Sequence, residues 1–213
     1  MGGAVNGQTP GQSGQVNSAG SAPATMTSAK IIVAGGFGAG KTTFVGSVSE
    51  IVPLTTEALM TDASTGIDNL EATPNKSSTT VAMDFGRVSL DKDLILYLFG
   101  TPGQQRFWFM WDDLVRGAIG SVVLADTRRL EDSFAPIDFF EDRRLPYIVG
   151  VNTFDGELQH DLEDVRDALS VEPQVPVIAC DARTRESTKQ TLITLVEYAM
   201  RQWMSVRSGV TAN

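Results

Sequence analysis

Residues 35–42 read Gly-Gly-Phe-Gly-Ala-Gly-Lys-Thr, a glycine, four residues and then Gly-Lys-Thr, and this stretch decides the fold. Glycines at Gly35, Gly38 and Gly40 let the backbone curl close to a phosphate, so that amide hydrogens and a helix start face the anion. Lys41 is spaced to reach terminal phosphates and the Thr42 hydroxyl to bind magnesium, with Ala39 and Thr43 counted among the nucleotide-binding residues. The flanks agree with that reading. A short β-branched run, Lys30 to Ala34, comes before; Phe44, Val45, Val48, Ile51 and Val52 recur at helical spacing after it, until Pro53.

Outward from this strand, loop and helix, residues 81–90 and 94–99 read as two strands. Only Asp91, Lys92 and Asp93 separate them, so they form an antiparallel hairpin. Runs at 119–125, 147–151 and 175–179 follow as buried strands with helix-compatible segments between, and Leu192, Val196, Ala199 and Trp203 stripe a last helix. The expectation is an α/β domain with a six-stranded, mostly parallel sheet, one strand antiparallel, and helices on both faces. Residues 53–79 are mainly polar without a clear period, too long for a passive connector, and are expected to be mobile and functional.

Composition bounds the rest. The 213 residues suit one domain, and the first 29 carry no charge and few aliphatics, which predicts a disordered tail at 1–29, a folded domain at 30–206 and a flexible end at 207–213. One cysteine and one histidine exclude an intramolecular disulfide and a Cys/His metal cluster. With 17 basic against 26 acidic residues the net charge is −9, the wrong sign for nucleic acid or anionic lipid, so small polyanions in a local pocket are left. No apolar run is long enough to span a membrane and no signal peptide opens the chain, which places it in the cytoplasm without direct membrane insertion.

Residues 149–155, Val-Gly-Val-Asn-Thr-Phe-Asp, end a strand in Asn152 and Asp155 and resemble the Asn-Lys-x-Asp guanine motif of the Ras-like GTPases. That resemblance implies a P-loop NTPase with a Ras-like G domain, in which Asp155 accepts two hydrogen bonds from guanine and Asn152 braces the loop. Thr153 stands where the family has lysine, and Phe154 is available to stack. Further segments extend the likeness over nearly all of 30–206. Thr80-Val-Ala-Met-Asp-Phe is similar to a first switch, which makes Thr80 the sensor of magnesium and γ-phosphate; Cys180-Asp181-Ala182-Arg183 is similar to the last guanine loop, which puts the Ala182 N–H on the base.

The second switch departs from the family. In Gly100-Thr101-Pro102-Gly103-Gln104 the glycine and glutamine are in register, so Gly103 contacts nucleotide and Gln104 orients water, but Gly100 replaces the magnesium-holding aspartate. Asp126 is one candidate replacement and a helix cap the alternative. Phe37, at a phosphate-loop position where relatives keep glycine, is expected to crowd the γ-phosphate and slow hydrolysis. Arg-Phe-Trp-Phe-Met-Trp at 106–111 reads either as core or as an apolar patch presented in one nucleotide state. Arg106, Arg128 and Arg129 are near enough in the expected fold to be considered for stabilising transition-state charge, but isolated arginines are usually surface groups and none is singled out for that role.

These departures look most like the bacterial branch of the superfamily, the gliding-motility and conservon-type GTPases, with the conservon type the closer fit. The resemblance implies a signalling switch that takes GTP or GDP with magnesium, meets a Roadblock/LC7-domain protein and a sensor-kinase-like membrane protein, and is drawn to the membrane only through a partner. A nucleotide-gated binding module with little hydrolysis is the first rival, and an ATPase or small kinase sharing only the phosphate loop is the second.

Overall fold

The computed structural model describes residues 1–3, 27–61, 78–103, 105–154 and 156–207. Most of the expected tail, residues 62–77 of the polar stretch, and the last six residues lie outside the described residues.

Strand β1 (Thr27–Gly35) is followed by helix α1 (Lys41–Val48), β2 (Leu54–Thr61), β3 (Ser78–Asp91) and β4 (Leu94–Gly100). After a 3-10 run, Gln105–Met110, come α2 (Trp111–Val115) and β5 (Ala118–Ala125). A second 3-10 run, Thr127–Ser133, leads into α3 (Phe134–Asp142), and β6 (Tyr147–Asn152), α4 (Leu162–Leu169), β7 (Val177–Cys180) and α5 (Arg185–Arg207) complete the chain. The sheet order is β2-β3-β4-β1-β5-β6-β7. All six expected strands are present; β3 alone runs against the others, because it is antiparallel to both its neighbours while β1 is parallel to β4 and β5, and β6 to β5 and β7. Residues 54–61 add a seventh at the edge, paired along their whole length with β3.

Burial explains the order. Ile31, Ile32, Val33 and Ala34 of β1 and Val122, Val123, Leu124 and Ala125 of β5 are fully buried, as strands covered on both faces require. Helix α1 buries Phe44, Val45 and Val48, and at roughly 1.5–3 kcal/mol for each fully buried large apolar side chain this stripe is what docks it. It lies beside α5, where Ser47 and Thr188 share a hydrogen bond of 2.9 Å and Arg185 donates to the Val48 carbonyl at 2.8 Å. Across the molecule Trp111 of α2 stacks on Phe140 of α3, centroids 6.0 Å apart, and meets Phe139 edge-on at 5.1 Å. The run at 106–111 is therefore divided: Phe107 and Trp111 are core, Trp108 packs against it, and Phe109 is half exposed. Asn152 ends β6 opposite Cys180 in β7, so the two loops that leave these strands meet beside the phosphate loop.

Candidate nucleotide-binding site

The loop from Gly35 to Gly40 leads into α1 with Gly40 at φ 103°, a left-handed conformation that glycine adopts without strain. The helix starts without a side-chain cap and without an acidic residue in its first turn. Its leading N–H groups and positive dipole end are thus left to an outside anion. Asn152 locks the loop in place, donating through Nδ2 to the Ala39 carbonyl at 3.0 Å while its Oδ1 accepts from the Ala182 N–H at 3.2 Å. Any Cβ at residue 40 would sit 2.6 Å from that Nδ2, so Gly40 is needed for this approach as well as for its φ.

Lys41 is buried and donates to the carbonyls of Gly35 at 2.9 Å and Gly36 at 2.6 Å. Burial lowers its pKa to about 8, with Asp84 and Asp132 pulling in the other direction. An ammonium held among backbone carbonyls in low dielectric gains most from a phosphate oxygen, which offers a full opposing charge.

Asp84, which the sequence reading passed over as a site residue, lies against Gly100 and beside Thr42. Its carboxylate accepts a hydrogen bond of 2.6 Å from the Thr42 hydroxyl. It lies one residue beyond the paired Phe85 and Phe99, against Gly100: a Cβ there would be 3.0 Å from the Asp84 Cβ and 3.1 Å from its Oδ2. An acidic side chain thus stands on β3 beside Gly100 of β4, and glycine at 100 leaves it room. Hydroxyl and carboxylate together are a hard-oxygen pair beside the phosphate loop, the donor type a magnesium ion prefers.

The rival candidate for that acid, Asp126, is engaged elsewhere. It caps the 3-10 run through the Arg128 N–H at 3.0 Å and forms two 2.8 Å bonds with the Arg128 guanidinium, which hold its carboxyl below the usual carboxylate range. The capping alternative is the one observed. Arg128 in turn covers one face of Phe154, 3.8 Å from the ring centroid, so that face is not open for stacking.

Of the expected nucleotide residues, Gly35, Gly38, Ala39, Gly40, Lys41, Thr42 and Thr43 form the loop and first helical turn, and Gly103, Asn152 and Ala182 border it. The Ala182 N–H, assigned to the base by resemblance, is taken by Asn152 in this structure. Thr80 is placed in β3 opposite Leu59, but its side chain, like Gln104 and Asp155, lies outside the described residues. Phe37 projects outward with 67% of its surface exposed, and it is its backbone that borders Gly103. Among the described residues no group of three or more His, Cys, Asp and Glu is arranged to hold a metal, and no helix is long and apolar enough to cross a membrane.

A mostly parallel sheet, a phosphate loop between its central strand and first helix, and an asparagine tying that loop to the last two strands define a nucleotide-binding protein of the P-loop class. Residues 33–202 match the family described as conserved hypothetical ATP binding protein, and the chain belongs to that family. An uncharacterized protein of Methanocaldococcus jannaschii is 28% identical over 128 residues, covering 59% of this chain and 70% of its own. Among solved structures, the apo cytosolic domain of the T. maritima FeoB iron transporter aligns with a TM-score of 0.58 at 18% identity, over 81% of this chain and 64% of that one. The FeoB G-domain from Methanococcus jannaschii aligns at 0.54 and 14% identity, over 83% of this chain and 99% of that one. This chain thus spans less than two thirds of the FeoB cytosolic domain, and at these identities the likeness carries the fold.

Proposed function

We propose that the protein is a guanine-nucleotide switch that binds GTP or GDP with magnesium and hydrolyses GTP slowly. The observation that carries this reading is the 2.6 Å contact between Thr42 and Asp84 beside the phosphate loop, which supplies the acidic oxygen that Gly100 lacks. Thr42 and Asp84 would hold the ion, joined by Thr80. The ion supplies charge neutralisation for the β- and γ-phosphate oxygens. Lys41 leaves the Gly35 and Gly36 carbonyls for those phosphates, Gln104 orients the attacking water, and Asp155 reads guanine.

Signalling then lies in the segments that sense the γ-phosphate, residues 53–80 and 100–111. The conservon-type resemblance supports a Roadblock/LC7-domain partner and a sensor-kinase-like membrane protein as receptors of that signal, with the switch acting in the cytoplasm. Phe109, exposed just past the second switch, is an apolar contact suited to such a partner.

The test is the nucleotide that co-purifies with the protein, followed by timed phosphate release from bound GTP with and without magnesium. GDP in the pocket with slow, magnesium-dependent release supports the switch. Retained GTP with no release turns the reading to a nucleotide-gated binding module. The family description names ATP, and Asn152 is committed to bracing rather than to a base, so a competition between ATP and GTP is the companion measurement. Equal displacement by both would overturn the guanine assignment.

A further inference from the structure

Asp126 caps the run Thr127–Ser133, but helical geometry breaks two residues into that run, at Arg129, with φ −147° and ψ 53°. The break separates two neighbouring arginines. Arg128 stays on the Asp126 side, over Phe154. Arg129 turns to the phosphate loop, its Nη1 lying 3.5 Å from the Phe37 carbonyl and its Nη2 2.7 Å from Asp132.

From this geometry we infer that Arg129 is a built-in catalytic arginine, delivered over the phosphate loop by the kink and held ready there by Asp132. The inference rests on the hydrolytic reading above. Three observations support it. First, Arg129 and Asp132 line a cavity of about 470 Å³ together with Gly36, Phe37, Trp108, Glu131 and the switch residue Gly103, so the arginine shares a cavity with the phosphate loop and the second switch. Second, Asp132 is pressed on the loop itself: a Cβ at Gly36 would lie 2.5 Å from the Asp132 Cβ and 2.6 Å from its Oδ2. A carboxylate in that place opposes a polyanionic ligand unless cations accompany it, and Lys41 and Arg129 are the two that face it.

Third, the pair is weak enough to exchange. Its side chains are 51% and 31% exposed, and ion pairs this open to solvent contribute little. A phosphate oxygen offers the same guanidinium a stronger, bidentate charge-assisted contact. Arg129 meets Phe37 through the backbone carbonyl of that residue, whose side chain is largely exposed.

In the reaction a water oxygen bonds to the γ-phosphorus while the bond from that phosphorus to the bridging oxygen breaks. The products are GDP and inorganic phosphate, and the proton lost by water passes to phosphate or solvent. Arg129 neutralises the charge that builds on the γ and bridging oxygens and itself exchanges no proton.

The test compares the full chain with Arg129→Ala and Arg129→Lys in single-turnover GTP hydrolysis, GDP affinity, and capture of aluminium fluoride by the GDP-bound protein. Arg129→Ala is expected to bind GDP within about 3-fold of the parent, to lose at least ~100-fold in hydrolysis, and to lose aluminium fluoride capture, arginines of this kind being worth on the order of 10³-fold or more. Arg129→Lys should recover part of the rate. Hydrolysis by Arg129→Ala within about 3-fold of the parent, at unchanged GDP affinity, would overturn the assignment while leaving the switch intact. No hydrolysis by the parent chain would remove the switch reading first and this assignment with it.

Discussion

The two sides of the phosphate loop are braced in different ways. On the side toward β6 and β7, one buried side chain, Asn152, bonds two backbone groups, the Ala39 carbonyl and the Ala182 N–H. On the side toward β3 and β4 two side chains, Thr42 and Asp84, meet each other near the surface. A backbone partner is fixed by the fold, so only a residue of one size and polarity satisfies it. A side-chain partner can be supplied by whichever neighbouring strand reaches the same point, and here β3 supplies it through Asp84.

The largest effect should come from the group both sides converge on. Lys41→Ala removes the buried ammonium, and nucleotide affinity measured by titration is expected to fall by on the order of 100-fold or more. Unchanged affinity would contradict the phosphate-loop assignment.

The next two changes set the sides against each other. Asn152→Ala strands a buried carbonyl and N–H, at about 1–3 kcal/mol for each unsatisfied group, and should lower the urea midpoint of the nucleotide-free protein. Asp84→Ala should barely move that midpoint but weaken magnesium-dependent nucleotide binding roughly 10–100-fold. A swap sharpens the point: Gly100→Asp alone crowds Asp84, whereas Gly100→Asp with Asp84→Gly places the acid on β4. Recovery of magnesium dependence in the double variant, and not in either single one, is the expected outcome. If Asp84→Ala instead unfolds the protein as Asn152→Ala does, the contrast between the two sides disappears.

The smallest effect concerns Asp126. Arg128 depresses its pKa, so its contribution to stability is fully present above the ordinary carboxylate range and is lost as pH falls through the lowered folded value. An Asp126→Asn variant should therefore lose stability less steeply on acidification than the parent, while nucleotide affinity at neutral pH stays the same. A large drop in magnesium affinity would restore Asp126 as an ion ligand.

Much of this was legible because it depends on local spacing. The phosphate loop, the hairpin and the buried strands each announce themselves within a dozen residues. Strand β2 did not, since Leu54-Thr-Thr-Glu-Ala-Leu-Met-Thr61 has no period of two and several helix formers; its conformation follows from pairing with β3, a tertiary cause. Asp84 stood in plain view within the first-switch segment, yet its position depends on hairpin register. Counting back from the Asp91–Leu94 pair puts Asp84 opposite Thr101, and the irregularity between Ser89 and Asp91 shifts the pairing by the one residue that brings it to Gly100. Arg129 was read as a surface group because its direction is set by one pair of backbone angles that no spacing records.

The strand order has a consequence for how the chain is made. Strand β1 precedes the other described elements in the chain and is the innermost of the sheet, with β4 and β5 as its neighbours. Its apolar residues Ile31 to Ala34 have no strand to pair with until residues 94–100 and 118–124 have emerged. At synthesis rates of about 5–20 residues per second that interval is roughly 5–20 s, during which a sticky, unpaired segment is carried on a nascent chain. Slowing translation before residue 124 should therefore raise the fraction lost to aggregation, and an attendant chaperone should matter most within that window.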